Sequence, residues 1–248
     1  MCHFKICLAG RVISVDALFD STRAYCKDYL TDSDDVDISV SVSPEDLEYE
    51  RVKSAKEQPP EEFARLTDRH FELTAVYRRI AEALVDYNVV LFHGSCVAVD
   101  GEAFIFSAKS GTGKSTHTRL WRELYGERCV MINDDKPLIE VRDDGIVVWG
   151  TPWNGKHRLS TNTSAPLSAI CILERAAENS IVKQSALMAF PEILSQTYRF
   201  ADAPKMRKTL SLLQNIVNKT EIYRLGCNMD ISAAETAYNG MRRKTNEA

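Results

Sequence analysis

The sequence predicts an α/β protein built on a mixed sheet. Three observations carry that expectation. Apolar, β-branched runs alternate with amphipathic helical patterns, two pairs of runs are joined by tight turns, and a helix follows directly on the central pair. Strands joined by a tight turn run antiparallel, whereas strands separated by a helix run parallel, so a sheet holding both kinds is mixed.

Residues 4–8 and 11–15 flank Ala9-Gly10 and read as a hairpin. Val36, Ile38, Val40 and Val42 alternate with Asp37, Ser39, Ser41 and Ser43, the period of a half-buried strand. Ser43-Pro44 then opens a helix, with the serine as cap and the proline at the first helical position. Pro59-Pro60 interrupts, and Leu73, Val76, Tyr77, Ile80 and Leu84 mark one face of a further helix reaching about Asp86. Residues 1–87 therefore form an N-terminal sheet-and-helix portion, expected to be integral to the fold and without identifiable chemistry.

Residues 88–248 carry the motifs. Residues 89–99 read as one apolar strand, Asp100-Gly101 as a tight turn and 103–106 as the returning strand. The pattern over 114–125 is helical, stopped by Gly126. A buried strand over 128–132 ends at Asn133-Asp134-Asp135. The Asp143-Asp144-Gly145 turn leads into 146–149, and 168–173 is another buried strand. Helices about 186–197 and 205–218, a strand over 221–225 and a last helix opened by Asp230 complete the chain.

Composition narrows the function classes. At 248 residues, 44% hydrophobic and 27% charged, the chain is ordinary globular protein. A net charge of -4 with interspersed signs leaves no footprint for nucleic acid, and no apolar run is long enough for a membrane span. The start of the chain lacks the apolar core of a signal peptide, which suggests the cytoplasm. Seven scattered cysteines without metal-ligand spacing read as reduced, mostly buried thiols.

The strongest motif is Ala108-Lys109-Ser110-Gly111-Thr112-Gly113-Lys114-Ser115-Thr116, placed between a strand and a helix. Such a P-loop uses its glycines to turn successive N–H groups toward phosphate oxygens, and the following helix adds free amides and its dipole. Residues 110–116 would hold a nucleotide, with Lys114 on the β- and γ-phosphates and Ser115 on Mg²⁺. The motif departs from the usual pattern only in having Ala108 where a first glycine is common.

Asp134 and Asp135 close the next strand, where nucleotide enzymes place a carboxylate for Mg²⁺. Two adjacent acids allow one to hold metal and the other to act as base, provided the strand stops at Asn133. If Asp100-Gly101 is a two-residue turn, paired residue numbers sum to about 201, which sets His93 opposite Ala108 at the mouth of the P-loop, where it could stabilise charge on the γ-phosphoryl group or assist proton transfer. Residues 150–158 form a loop carrying Trp153, Lys156, His157 and Arg158, and Lys156 or Arg158 could supply charge to a transferring phosphoryl group. His117, one turn into the helix, either touches the nucleotide or lies on the helix surface.

These residues resemble one family. Ser110–Thr116 resembles the phosphate loop of ATP-dependent phosphoenolpyruvate carboxykinases and HPr kinase/phosphorylases. His93-Gly94, Asp134-Asp135, His117 to Trp121, Asn133 to Pro137, Gly150 to Lys156 and Tyr223 to Cys227 look like the bacterial HPr-kinase-like serine kinases. The likeness is sharp over 93–175 and looser to 239. It implies the carboxykinase/HPr-kinase catalytic fold, ATP and Mg²⁺, and an acceptor hydroxyl on a protein, peptide or small molecule. HPr kinases assemble, so a homo-oligomer is compatible. Thr116 stands where those kinases carry an acid, and their downstream arginine-rich motif is missing, which argues against phosphorolysis. Two other readings stay open: a nucleotide-binding sensor without catalysis, and a carboxykinase acting on oxaloacetate.

Overall fold

The computed structural model describes residues 1–109, 111–155 and 157–242. It divides into two compact units, Met1–Tyr87 and Asn88–Ala248. No helix among the described residues is long and apolar enough to cross a membrane.

In the first unit, β1 (Cys2–Leu8) and β2 (Arg11–Ala17) pair antiparallel across Ala9-Gly10, both in the left-handed region. α1 (Asp20–Tyr25) follows, and β3 (Ile38–Ser41) adds parallel to β2. Phe4, Ile6, Ile13, Val15, Ile38 and Val40 are buried, as strict alternation requires of a sheet covered on one face. α2 (Pro44–Glu57), the short α3 (Pro60–Phe63) and α4 (Asp68–Leu84) complete the unit, and α4 buries Phe71, Ala75, Val76, Ile80 and Leu84.

Asp46, in the first turn of α2, receives Arg78 at 2.7 Å and Arg79 at 2.8 Å from α4, and Arg78 also meets Glu50 at 2.5 Å. Burial alone would raise the Asp46 carboxyl, but hydrogen bonds from Arg78 and the Ser43 amide, with both arginine charges, outweigh it and hold it below the usual range. A carboxyl depressed by folding stabilises the protein above its unfolded value, about pH 4, and that contribution disappears as pH falls through the folded value. Urea midpoints should therefore drop on acidification below about pH 4. Asp46→Asn should show a shallower drop over the same interval.

The second unit opens with β4 (Val89–Leu91), β5 (Ser95–Val99) and β6 (Glu102–Ser107). α5 (Lys114–Tyr125), β7 (Cys129–Asn133), β8 (Leu138–Val141), β9 (Ile146–Trp149), β10 (Ser164–Arg175) and β11 (Ser180–Gln184) follow. α6 (Ala186–Ser195), α7 (Ala203–Lys219), β12 (Glu221–Cys227) and α8 (Ser232–Met241) end the described chain. The strand order is β4-β8-β9-β10-β6-β5-β7, with β12 also on β10 and β11 on β12. β6 and β12 run parallel to β10 and the other pairings are antiparallel, so the sheet is mixed. On the side of α5 and α8, Phe104, Phe106, Leu120, Trp121, Leu173, Leu225 and Ala237 form one buried cluster.

Two expectations need correction. The run 89–99 is not one strand: it breaks at residues 92–94, whose amides turn to Pro137, Gln196 and Asp135 carbonyls. The hairpin register holds from Val99↔Glu102 to Ser95↔Phe106 and ends there, so His93 does not face Ala108 in the ladder. A Cβ at Gly94 would come within 3.1 Å of the Phe106 carbonyl oxygen, so the chain passes tightly over β6 at this point and leaves the ladder. The sequence patterns do not predict β8 or β11. β8 is a four-residue strand just after Pro137, and β11 is largely exposed, so neither displays a periodic apolar signal.

Gly150, directly after β9, has the least room for a side chain of the described glycines. A Cβ there would lie 2.0 Å from the Thr161 carbonyl oxygen and 2.8 Å from that of Ile132. Because backbone rather than a flexible side chain blocks the space, Gly150→Ala is expected to cost about 1–3 kcal/mol in chemical denaturation.

Candidate functional site

β6 delivers the chain into the glycine-rich loop, and α5 takes it away. Gly111 has φ +76° and Gly113 φ +123°, conformations that disfavour any side chain, so these glycines are dictated by the turn itself. Ala108 is not among the residues with positive φ, and the alanine in place of a first glycine causes no strain. No described side chain caps α5, and the residues of its first turn, Lys114, Ser115 and Thr116, line the cleft with Gly113. Lys114 is half-buried, with its Nζ 3.2 Å from the Ala108 carbonyl. Burial pushes its ammonium below the ordinary value, against the opposing pull of Asp135 and Asp134.

His93, Gly111, Gly113, Lys114, Ser115, Thr116, Asp134 and Asp135 line one open cleft of about 700 Å³, joined by Asn154, Gly155 and His157. Thr112 lies at the next cavity along the loop. Of the other candidates, Ser110 and Lys156 lie outside the described residues. Arg158 is exposed, holds φ +51° and is not among the described residues lining the cleft.

The two aspartates have different surroundings. β7 ends at Asn133, and both acids follow in the turn. Asp134 is 4% exposed; its Oδ1 accepts from Ser95 Oγ at 2.6 Å, while its Oδ2 is buried without a partner. The Gly155 backbone passes over that oxygen so closely that a Cβ there would lie 3.3 Å from it. Asp135 is more open and sits 3.2 Å from His93 Nε2 and 3.4 Å from Lys136 Nζ. Burial would raise its carboxyl, but the His93 hydrogen bond and the Lys136 charge prevail and hold it below the usual range.

Several residues hold positions in or around the site that their sequence context did not indicate. Ser95 and Thr118 hydroxyls lie 3.2 Å apart, linking Asp134 to the first turns of α5. Asn133 is fully buried: its Nδ2 donates to Thr151 and Trp153 carbonyls, and its Oδ1 accepts from the Asp135 and Lys136 amides. One side chain thus shapes the aspartate turn and anchors the loop from residue 150. Arg175, at the end of β10, donates to the Gly111 and Thr112 carbonyls at 2.5 and 3.3 Å and braces the glycine-rich loop from outside. His117 is not on the helix surface: it is 3% exposed, and burial lowers its ring to about 4, which leaves it neutral at pH 7.

Among the described residues no group of three or more His, Cys, Asp or Glu side chains is placed to hold a metal ion. A cation held here would share one or two protein oxygens with ligand oxygens and water, the habit of Mg²⁺ bound with phosphates. Asp134 Oδ2 and the Ser115 hydroxyl fit that requirement. All seven cysteines are free thiols, buried except for the part-exposed Cys7 and Cys227.

The fold defines a mixed α/β protein with a glycine-rich loop and two acids at one end of its larger sheet. The chain matches no protein-family model and is similar to no curated protein. Among solved structures it is similar to the Hpr(Ser) kinase/phosphatase from Coxiella burnetii, with a TM-score of 0.29 and 10% identity, over 50% of this chain and 94% of that one. A likeness at that level assigns neither family nor activity.

Proposed function

We propose that the protein is a P-loop kinase of the carboxykinase/HPr-kinase type that transfers the γ-phosphoryl group of ATP to a hydroxyl. The observation that carries this reading is Asp134 Oδ2, a buried carboxylate oxygen without a partner at a cleft that also presents Lys114 and the uncapped start of α5. A buried acceptor left unpaired is costly unless something fills the place, and a cation beside phosphates does so.

In this scheme the amides of residues 111–115 and the Lys114 ammonium hold the phosphate chain. Ser115 and Asp134 are the protein ligands for Mg²⁺, which when bound neutralises charge on the phosphoryl oxygens. Ser95 and Thr118 keep Asp134 aligned. Asp135, ionised and oriented by His93, accepts the hydrogen bond from the acceptor hydroxyl and takes its proton as the new P–O bond forms. Little basicity is required, since proton transfer is late when the phosphoryl group is loosely bonded to both oxygens.

The test uses purified protein with γ-labelled ATP and Mg²⁺, offered cell extract and a panel of hydroxylated metabolites. Label on a peptide, protein or metabolite that requires Mg²⁺ supports the kinase. ATP bound with no transfer to any acceptor would leave a nucleotide sensor instead.

A further inference from the structure

The glycines that give the phosphate loop its shape also leave it free to lose that shape. Gly111 and Gly113, at φ +76° and +123°, flank Thr112. A Cβ on Gly111 would meet no described atom within 4 Å, and one on Gly113 would only touch Thr116 at 4.0 Å. Side-chain packing therefore does not hold this segment, and glycine gives up more backbone freedom on ordering than any other residue.

The constraint comes from the sheet. β6 pairs in parallel with β10, and that ladder ends at Ser107↔Ile172, where β6 passes into the loop. β10 runs on, paired with β12 as far as Arg175↔Cys227, and the Ala176 amide still bonds to the Cys227 carbonyl at 3.0 Å. Arg175 thus stands three residues past the point where the neighbouring strand leaves the sheet, about 10 Å at the rise of a parallel strand. It lies alongside the loop but on the last fixed rung of the ladder.

Nε and Nη2, the two donors on one edge of its guanidinium, take successive carbonyls, Thr112 at 3.3 Å and Gly111 at 2.5 Å. In a trans peptide the N–H points away from the carbonyl of the same unit, and these peptides are trans. Holding the two carbonyls therefore turns the Thr112 and Gly113 amides away from Arg175. The Thr112 amide closes the turn on the Lys109 carbonyl at 3.2 Å. Only a planar fork can grip two adjacent carbonyls in this way, since a lysine ammonium is a single point of charge.

We propose that Arg175 is a positioning residue for phosphate binding. By clamping the Gly111 and Thr112 carbonyls to the end of β10, it keeps the glycine-rich loop in the shape a triphosphate requires. This inference rests on the nucleotide reading above. The glycines permit the loop conformation, and the arginine selects it before the ligand arrives, so that binding does not have to order the loop.

Two measurements on the full chain test the clamp, each made on the wild type, Arg175→Lys and Arg175→Gln. Hydrogen exchange without ligand reads the loop itself: the amides of residues 111–114 are expected to exchange faster in both variants. The thermal midpoint should not move, because Arg175 is exposed. Equilibrium binding of inorganic triphosphate with Mg²⁺ reads the consequence, expected to be about 10–100-fold weaker in both variants. Lysine keeps the charge and glutamine keeps a donor, so a similar loss in the two assigns the effect to the fork. Normal binding in Arg175→Lys beside weak binding in Arg175→Gln would make charge alone responsible and overturn the clamp. Weaker binding with unchanged exchange, or wild-type binding in both variants, overturns it too. Failure of the wild type to bind triphosphate or ATP overturns the nucleotide reading and this inference with it.

Discussion

Lys114→Met is expected to reduce γ-phosphoryl transfer by roughly 10³–10⁵-fold, the range for withdrawing a cation from a transferring phosphoryl group. Methionine keeps most of the length of the apolar stem and removes the charge, so the change largely separates electrostatics from packing. Lys114 rests on the Ala108 carbonyl at 3.2 Å in a half-buried place. Water solvates the ammonium poorly there, and an anion with multiple oxygens offers a better partner than one neutral carbonyl. Transfer of label to the acceptor, measured beside a thermal melt, decides the matter. A folded variant that retains turnover within about threefold would remove Lys114 from the reaction and the scheme with it.

Asp134→Asn is expected to lower transfer by roughly 10²–10³-fold, the usual loss on removing one preorganised electrostatic group. The amide oxygen can still accept from Ser95, but an NH₂ at the place of Oδ2 repels a cation. The variant should therefore need more Mg²⁺ for whatever activity remains, visible as a shifted Mg²⁺ titration of transfer. A second readout separates metal binding from architecture. Oδ2 is buried without a partner, so the wild-type fold bears a desolvated charge that the amide does not have. Without Mg²⁺ the variant should unfold no more easily than the wild type, and Mg²⁺ should stabilise only the wild type. Marked destabilisation of Asp134→Asn in the absence of metal would make Asp134 a structural acceptor of the Ser95 hydroxyl and nothing more.

Asp135 gives the contrast. Its carboxylate already has His93 and Lys136 beside it, and it is open to the cleft. As adjacent letters the two aspartates are indistinguishable. They diverge because β7 stops at Asn133, whose Oδ1 gathers the next amides into a turn that sends one acid inward to Ser95 and the other outward to His93.

His93 shows where a sequence argument goes astray. A two-residue turn at Asp100-Gly101 did set the register from Val99 back to Ser95. The ladder does not continue to His93: the close approach at Gly94 ends it, and the His93 amide bonds to the Gln196 carbonyl at 2.7 Å instead. The histidine still reaches the cleft, held by a residue about a hundred positions away rather than by its hairpin partner.

The features legible in the sequence are local. Glycine at 111 and 113 is demanded by positive φ, the span of α5 follows from the apolar spacing and from Gly126, and the hairpins follow from Ala9-Gly10 and Asp100-Gly101. Each depends on residues a few positions apart, where backbone sterics and hydrogen-bond geometry leave few choices. Long-range packing settles which acid is buried without a partner, that Arg175 braces the loop, and that His117 is buried with its Nε2 accepting from the Trp121 indole. Burial and pairing depend on segments brought together from residues 95, 134, 155 and 175, and no local pattern records which distant side chain will occupy the neighbouring space.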